Sequence, residues 1–305
     1  MNYTLHQLQV FHTVSRLGSI TKAAEELHLS QPAISIQVRN LQEQFEIPLI
    51  ENIGRKIFIT EFGQEIAEAA GRILQEVNAI NSKAAAYKGE LIGTLRITSV
   101  STGKYVIPTF LTNFIKQHQG IELVLDVTNR SRVRESLEKN EVDFALVSVM
   151  PENLQVDEIE LMENKLYLVG SSREEQDLSN FGKKILQNIP LIFRETGSGT
   201  RHIMEKYIKQ KKIPVTKKME LTSNEAVKQA IIANLGYSIM PIIGIRNELK
   251  TGILKIIPVD GFPIQSRWKL VWLKGKNLSP VALSFVNYLS KNKEQIIREN
   301  FEELN

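Results

Sequence analysis

The feature that most constrains this chain is a change of hydrophobic period near Lys88-Gly89-Glu90. Before it, apolar residues recur every three or four positions. After it, short apolar β-rich runs alternate with helical stretches. One small core does not accommodate both patterns. At 305 residues the chain is also long enough for two or three domains. The expected division is 1–63, a long helix over 64–89, and 90–305.

Within the first segment, Phe11 to Phe45 holds two short amphipathic stretches around a tight break. Ser19 and Thr21 mark a helix start, and Ala23, Ala24 and Leu27 give it one apolar face. The break is His28-Leu29-Ser30. Ser30 is placed to cap the next helix, and Pro32 falls in its first turn, where a missing N–H costs little. Ile34, Val38, Leu41 and Phe45 form the inward stripe. Gln31, Ser35, Ile36 and Arg39 are left outside it. Two helices joined by a short turn, the second presenting such residues, make a helix-turn-helix whose second helix enters the DNA major groove. Gln suits adenine, Arg suits guanine or a phosphate, and Ser bonds to either base class. Leu5, Leu8, Phe11 and Val14 predict a preceding helix over 3–16 that completes a three-helix core. Its His6 and His12 lack a third ligand at metal spacing, so they are read as packing or surface residues.

Downstream, IPLIENIGRKIFITEFG places Gly54 between two runs of strand propensity. This reads as a hairpin wing with Arg55 and Lys56 at its tip. Over 64–88, Ile66, Ala70, Ile73, Val77, Ile80 and Ala84 recur at alternating steps of four and three. That 3.5-residue period is a coiled-coil seam, and dimerisation is the expected use. A two-fold dimer would set two reading helices on a two-fold DNA site.

From Leu91 on, LRITSV, ELVLDVTN and DFALVSV alternate with helices near 104–118 and 131–140. KLYLVGS, IPLIFRE, KKMELTS and GYSIMP follow, with helices near 200–211 and 224–234. This is βαβ patterning. The chain returns through LKIIPVDG and RWKLVWLKG to a last helix from about Pro280. Two α/β lobes follow, one from about 91–162 and 268–305, the other from about 163–267, with a cleft between them. Ligands of such sheets sit beyond strand C-termini near helix N-termini. The candidate contacts collected there are Ser101, Thr102, Asn129, Ser198, Thr200, Arg201 and Asn224. In GSGTR the glycines let backbone approach a ligand, Thr200 is placed to cap a helix and Arg201 to pair with an anion, or instead with Glu195 or the opposite lobe. The Gly-Lys-Ser/Thr ending of a P-loop is absent. Caps and glycines are also what any βα loop needs.

The chain carries a net charge of +4. Residues 1–63 hold five Lys/Arg against six Asp/Glu, and 64–89 hold three of each, so the excess lies in 90–305. DNA binding therefore rests on local placement and helix N-termini rather than on bulk charge. Zero Cys excludes disulfides, thiolate nucleophiles and Cys-based zinc sites. No eighteen-residue apolar run and no signal-like start are seen, so a cytoplasmic protein is expected. No catalytic constellation, metal set or cofactor motif is expected either.

GSITKAAEELHLSQPAISIQVRNL followed by PLIENIGRKIFITEFG resembles the LysR-type bacterial transcriptional regulators. Matching positions include Phe11, Val14, Gly18, Ala23, Gln31, Pro32, Ser35, Gln37, Pro48, Leu49, Thr60 and Gly63. The resemblance implies a winged helix-turn-helix domain, a dimer-forming linker helix and a two-lobed effector domain similar to periplasmic binding proteins. It implies double-stranded operator DNA as partner, read through Gln31, Pro32, Ser35 and Arg39. It also implies a homodimer or homotetramer, and RNA polymerase as a further partner. One departure stands out: the family's Leu-Phe-x-Arg is here Leu49-Ile50-Glu51-Asn52, so a charged phosphate contact is replaced by an amide. VSTGKYVIP, LDVTNR, RETGSGTR and TSNEAVKQA look most like the subgroup controlling carbon-fixation and sulfur-assimilation operons. That implies a small anionic or phosphorylated effector. The competing expectation is a two-lobed metabolite-binding protein or enzyme that uses its N-terminus only as a dimer handle.

Overall fold

The computed structural model describes residues 2–54, 56–87, 90–173 and 185–302. The chain divides into two compact units, Met1–Gly93 and Thr94–Asn305. Lys88 and Gly89, where the sequence changes period, lie outside the described residues.

In the first unit, α1 (Leu5–Leu17) opens with a reciprocal capping box. Thr4 accepts the Gln7 N–H, and the Gln7 side chain accepts the Thr4 N–H. Gly18, at φ 61°, ends the helix in the left-handed conformation. α2 (Ile20–Glu26) is capped by Ser19 and α3 (Gln31–Gln42) by Ser30, with His28 at positive φ between them. Phe45 lies past the end of α3 rather than on it, and stacks on Tyr3. Strands β1 (Ile50–Ile53) and β2 (Lys56–Ile59) pair antiparallel. α4 follows over Glu61–Tyr87. The side chain of Gln42 ties α3 to this hairpin by accepting the Leu49 N–H and donating to the Ile47 carbonyl at 3.2 Å. Thr60 donates to the Pro48 carbonyl at 2.6 Å and accepts the Gly63 N–H at 2.9 Å. A Cβ on Gly63 would stand 2.0 Å from the Leu49 carbonyl oxygen, so α4 enters this close only with glycine there. Pro48, Leu49, Thr60 and Gly63 are thus one packed junction.

The core of this unit joins Leu8, Phe11, Val14, Ala23, Ile34, Val38 and Leu41 to Ala67 and Ala70 of α4, with Ile66 packed against it. Two of the six expected seam positions, Ile66 and Ala70, are therefore corrected: they seal α4 onto α1 of the same chain. His12 adds a hydrogen bond to the Ala67 carbonyl at 3.0 Å. Ile73, Ile80 and Ala84 are exposed and Val77 is half-buried, leaving an apolar stripe on the later turns only.

The second unit runs β3 (Gly93–Val100), a 3₁₀ turn at Ser101–Tyr105, α5 (Ile107–Gln117), β4 (Ile121–Thr128), α6 (Arg130–Glu138), β5 (Phe144–Val147) and β6 (Val156–Ser171). It continues through α7 (Ile185–Asn188), β7 (Pro190–Arg194), α8 (Gly199–Gln210), β8 (Thr216–Leu221), α9 (Asn224–Ile232) and β9 (Ser238–Pro241). A 3₁₀ turn at Ile242–Gly244, α10 (Arg246–Lys250), β10 (Leu254–Ile256), β11 (Ile264–Leu273) and α11 (Pro280–Phe301) complete it. β6 is far longer than the expected KLYLVGS. Its first half carries Asp157, Glu158 and Glu160, which conceal a strand until the partner is seen: Lys269 and Arg267 of β11 pair with Glu158 at 2.7 Å and Glu160 at 2.5 Å.

β6 and β11 are the backbone shared by both lobes. Their antiparallel register shifts between Trp268 and Lys269. On one side of that bulge the sheet continues through β5, β3 and β4. On the other side β6 pairs with β9 and β10. Parallel β7 and β8 join the second lobe through Tyr237, whose backbone exchanges hydrogen bonds with Pro190 and Ile192. Trp268, Phe110, Phe114, Phe144 and Phe285 are fully buried in the first lobe, and Leu166, Leu191, Phe193, Met204 and Ile239 fill a second core. Among the described residues no helix is long and apolar enough to cross a membrane.

Candidate functional site

Two sites emerge, one per unit. In the first, Ser30 caps α3 by accepting the Ala33 N–H, and Pro32 sits in the first turn. Ile34, Val38 and Leu41 turn inward. Gln31, Pro32, Ser35, Ile36 and Arg39 are all exposed. Ile36 keeps 45% of its surface in solvent, which is notable for an isoleucine in the middle of a helix. Arg39 is held only loosely, its Nε 3.9 Å from Glu43. The face therefore offers an amide, a hydroxyl, an apolar contact and a guanidinium without intramolecular commitments that compete for them. Side chains of these kinds suit the hydrogen-bonding edges and methyl groups of bases. Asn52 is exposed on β1 opposite Ile57. Arg55 lies outside the described residues. Lys56 opens β2, and its side chain is not described.

The second site lies between the lobes of Thr94–Asn305. Ser101 starts the 3₁₀ turn after β3, and Thr102 beside it is buried. Gly103 is required here because a Cβ would fall 2.0 Å from Ser99 Oγ. From the other lobe, Arg194 at the end of β7 reaches across and donates to Ser101 Oγ at 3.2 Å. A Cβ on Gly197 would lie 3.2 Å from Ser131 Oγ, and one on Gly199 would lie 3.7 Å from Ser148 Oγ. The loop between β7 and α8 is thus packed against the first lobe at its glycines. Arg130 lies 3.4 Å from His202 Nδ1 across the cleft and pairs with Glu152 at 2.8 Å. Burial first, then the Arg130 guanidinium, hold the His202 pKa below its ordinary value.

The expected contacts separate into groups. Ser198, not Thr200, caps α8, accepting the Arg201 N–H at 3.5 Å; Thr200 is buried within the first turn. Asn129 is likewise a cap: its Oδ1 accepts the Arg132 N–H at 2.9 Å. Arg201 is committed within its own lobe, to Glu205 at 2.6 Å, Glu220 at 2.7 Å and the Arg194 carbonyl at 2.9 Å. Those two carboxylates raise its pKa. Of the two expectations for Arg201, a ligand anion or a pairing within the protein, the structure shows the second, with Glu205 and Glu220 as the partners rather than Glu195 or the opposite lobe. Asn224, the first residue of α9, is buried, and neither of its amide atoms has a protein partner. Ser101, Thr102, Ser198, Thr200 and Asn224 remain lining candidates.

Arg194 was missed by sequence reasoning. It closes the apolar run IPLIFR, where a charged residue reads as the end of a strand. The usable signal was an arginine at a strand C-terminus directly before a glycine-rich βα loop. Among the described residues no group of three or more His, Asp or Glu is arranged to hold a metal ion.

A winged helix-turn-helix with an uncommitted reading face, joined in one chain to a two-lobed α/β unit with a polar cleft, defines a ligand-responsive DNA-binding regulator. The chain belongs to the LysR family: residues 5–64 match the bacterial regulatory helix-turn-helix protein of the lysR family, and residues 88–293 match the LysR substrate binding domain. It is a transcriptional regulator and not an enzyme. It is 38% identical over 299 residues to the HTH-type transcriptional activator CmpR of Synechocystis, covering 97% of each chain. It is also 38% identical over 294 residues to a RuBisCO operon transcriptional regulator of Allochromatium vinosum, covering 95% of this chain and 96% of that one. The regulatory domain of Synechocystis CcmR, solved in complex with 2-PG, superposes with a TM-score of 0.60 at 34% identity, covering 64% of this chain and 95% of that one. A full-length OxyR variant of Pseudomonas aeruginosa shares the fold at a TM-score of 0.73 and 19% identity, covering 97% of this chain and 95% of that one. CmpR and the RuBisCO operon regulator lie on the carbon-fixation side of the expected subgroup.

Proposed function

We propose that this regulator reads a two-fold operator through Gln31, Pro32, Ser35, Ile36 and Arg39, with Arg55 and Lys56 of the wing on the phosphate backbone. The observation that carries this reading is the division of α3 into a buried side, Ile34, Val38 and Leu41, and a wholly exposed side of base-compatible residues. Ile73, Val77, Ile80 and Ala84 form the remaining helix seam that joins two copies, and a homotetramer is a pair of such dimers. The organisation is 1–63 for DNA, 64–89 for the linker and 90–305 for the effector. RNA polymerase is the downstream partner, and the protein works in the cytoplasm.

The effector is a small anionic or phosphorylated metabolite held between the lobes. The 2-PG bound to the CcmR regulatory domain supports that class, and the kinship with RuBisCO operon regulators supports carbon-fixation genes as targets. Ligand binding acts by favouring one arrangement of the DNA-binding pairs over another, which requires unequal affinity for the two. The test is fluorescence anisotropy on DNA from upstream of the protein's own gene against scrambled DNA, with a panel of phosphorylated and neutral metabolites. Operator preference altered by a phosphorylated compound is expected. Operator binding that no anionic compound changes would sink the effector assignment.

A further inference from the structure

The Arg194 guanidinium is a buried cation in the cleft with unused binding capacity. Its side chain is only 4% exposed. Nε and Nη2 donate to the two carboxylate oxygens of Glu195 at 2.8 Å and 2.9 Å, filling one of the two edges that a guanidinium presents to an oxyanion. The other edge is Nη1 with Nη2. On it, Nη2 donates to Ser101 Oγ of the opposite lobe at 3.2 Å, and Nη1 has no protein partner. A buried N–H without an acceptor is disfavoured in a finished structure. Asn224 opens the element next in the chain after the strand Arg194 pairs with: Arg194 is the register partner of Leu221 on β8, and α9 begins just past that strand. It brings two more buried, unpartnered polar atoms, a donor and an acceptor. Glu225, next to it, feels Lys104 of the 3₁₀ turn, so this end of α9 faces the same segment as Ser101.

Resting on the reading that the cleft holds an anionic effector, we propose that an oxyanion of that effector docks on the Nη1/Nη2 edge of Arg194 and enters the Arg194–Ser101 hydrogen bond between the lobes. The Ser101 hydroxyl, now the acceptor, rotates to donate to the ligand oxygen, so one ligand group contacts both lobes. Asn224 bonds a second polar group of the same molecule. Glu195 stays on the far edge as a permanent counter-charge: it keeps the buried cation tolerable and lowers its attraction for anions. The effector class is thus a small molecule bearing a carboxylate or phosphate with a second hydrogen-bonding group within a few bonds. Arg201, held by Glu205 and Glu220 within its own lobe, takes no part.

The experiment is calorimetric titration of the full chain with 2-phosphoglycolate, glycolate and inorganic phosphate, with folding followed by thermal melting. Glu195→Gln keeps the shape and removes the competing charge; its affinity for 2-phosphoglycolate should rise at least fivefold. Arg194→Lys keeps a cation but loses the fork; affinity should fall at least tenfold. Should Arg194→Lys fail to fold, the charge-balanced pair Arg194→Gln with Glu195→Gln replaces it and should lose at least thirtyfold. Unchanged or weakened binding by Glu195→Gln would overturn the proposal. If Asn224→Ala still abolished binding in that case, the cleft reading would survive. Wild-type protein binding none of the three anions would overturn both.

Discussion

The reading face of α3 and the cleft between the lobes are built on opposite plans. The first is one contiguous stretch of a single helix, and the contacts proposed for it are the residues the hydrophobic stripe leaves over. The second draws on segments far apart in sequence, Ser101 after β3, Arg194 at the end of β7 and Asn224 at the start of α9, in two lobes joined by the long strands β6 and β11. The lesson is that a periodic element declares its free side, whereas a cleft declares only its loops. Which loop residue caps, which pairs and which is left without a partner depends on neighbours that sequence order does not supply.

The largest expected effect separates the two sides of α3. Ile34→Ala removes a fully buried side chain and should cost roughly 3 kcal/mol of stability. Ser35→Ala beside it should change stability by less than about 0.5 kcal/mol. Chemical denaturation monitored in the first unit checks both; equal losses would mean α3 has no free side. Next, Gly103→Ala places a Cβ 2.0 Å from Ser99 Oγ and 2.8 Å from Leu146 Cδ2. It should destabilise the second unit by about 1–3 kcal/mol. In calorimetry the melting of the first unit should stay unmoved, and a shift of both transitions would argue against separate units. Ile80→Asp, on the exposed part of α4 (64% exposed), should shift the protein toward monomer in sedimentation without altering the melting of Met1–Gly93. An unshifted assembly would remove the seam from the account.

The smallest effect concerns the contact of Arg130 with His202. The His202 pKa is lowered in the folded protein, so the unfolded chain takes up the proton first. The contribution of neutral His202 is present above its unfolded value of about 6.5 and is lost as pH falls below it. Melting temperature between pH 7.5 and 5 should therefore fall more for wild type than for His202→Asn. Parallel curves would show that this histidine does not couple to stability.

Much of the fold was legible in the sequence because its signals are local. Ser19 and Ser30 stand where α-helices begin, and the alternation after Leu91 announces βα units; the Thr4 capping box and the Gly18 stop of α1 were not read from the sequence. What stayed hidden is chosen by partners. A 3.5-residue period on α4 said that Ile66 and Ala70 would be covered, but not by what; α1 of the same chain covers them. In the loop Gly197-Ser198-Gly199-Thr200 the cap expected from sequence was Thr200. Ser198 takes the role because Gly197, at φ 90°, turns the chain just before it. The first half of β6, with Asp157, Glu158 and Glu160, was not read as strand, because its cross-strand partners Arg267 and Lys269 lie about a hundred residues on. The position of Arg194 before a glycine-rich loop was a usable signal, but its partner was not legible, since only the opposite lobe shows that Ser101 meets it.

The most direct test of the account is the ratio of operator to scrambled-DNA affinity for Gln31→Ala and Ser35→Ala, measured by anisotropy at one fixed salt concentration. The account predicts that the ratio falls for both, by about 1–3 kcal/mol of discrimination where a bidentate base contact is lost. Lys56→Ala, as a backbone contact, should weaken both DNAs alike. Equal weakening on operator and scrambled DNA by all three variants would contradict it, because the exposed face of α3 would then hold the phosphate backbone without reading the bases.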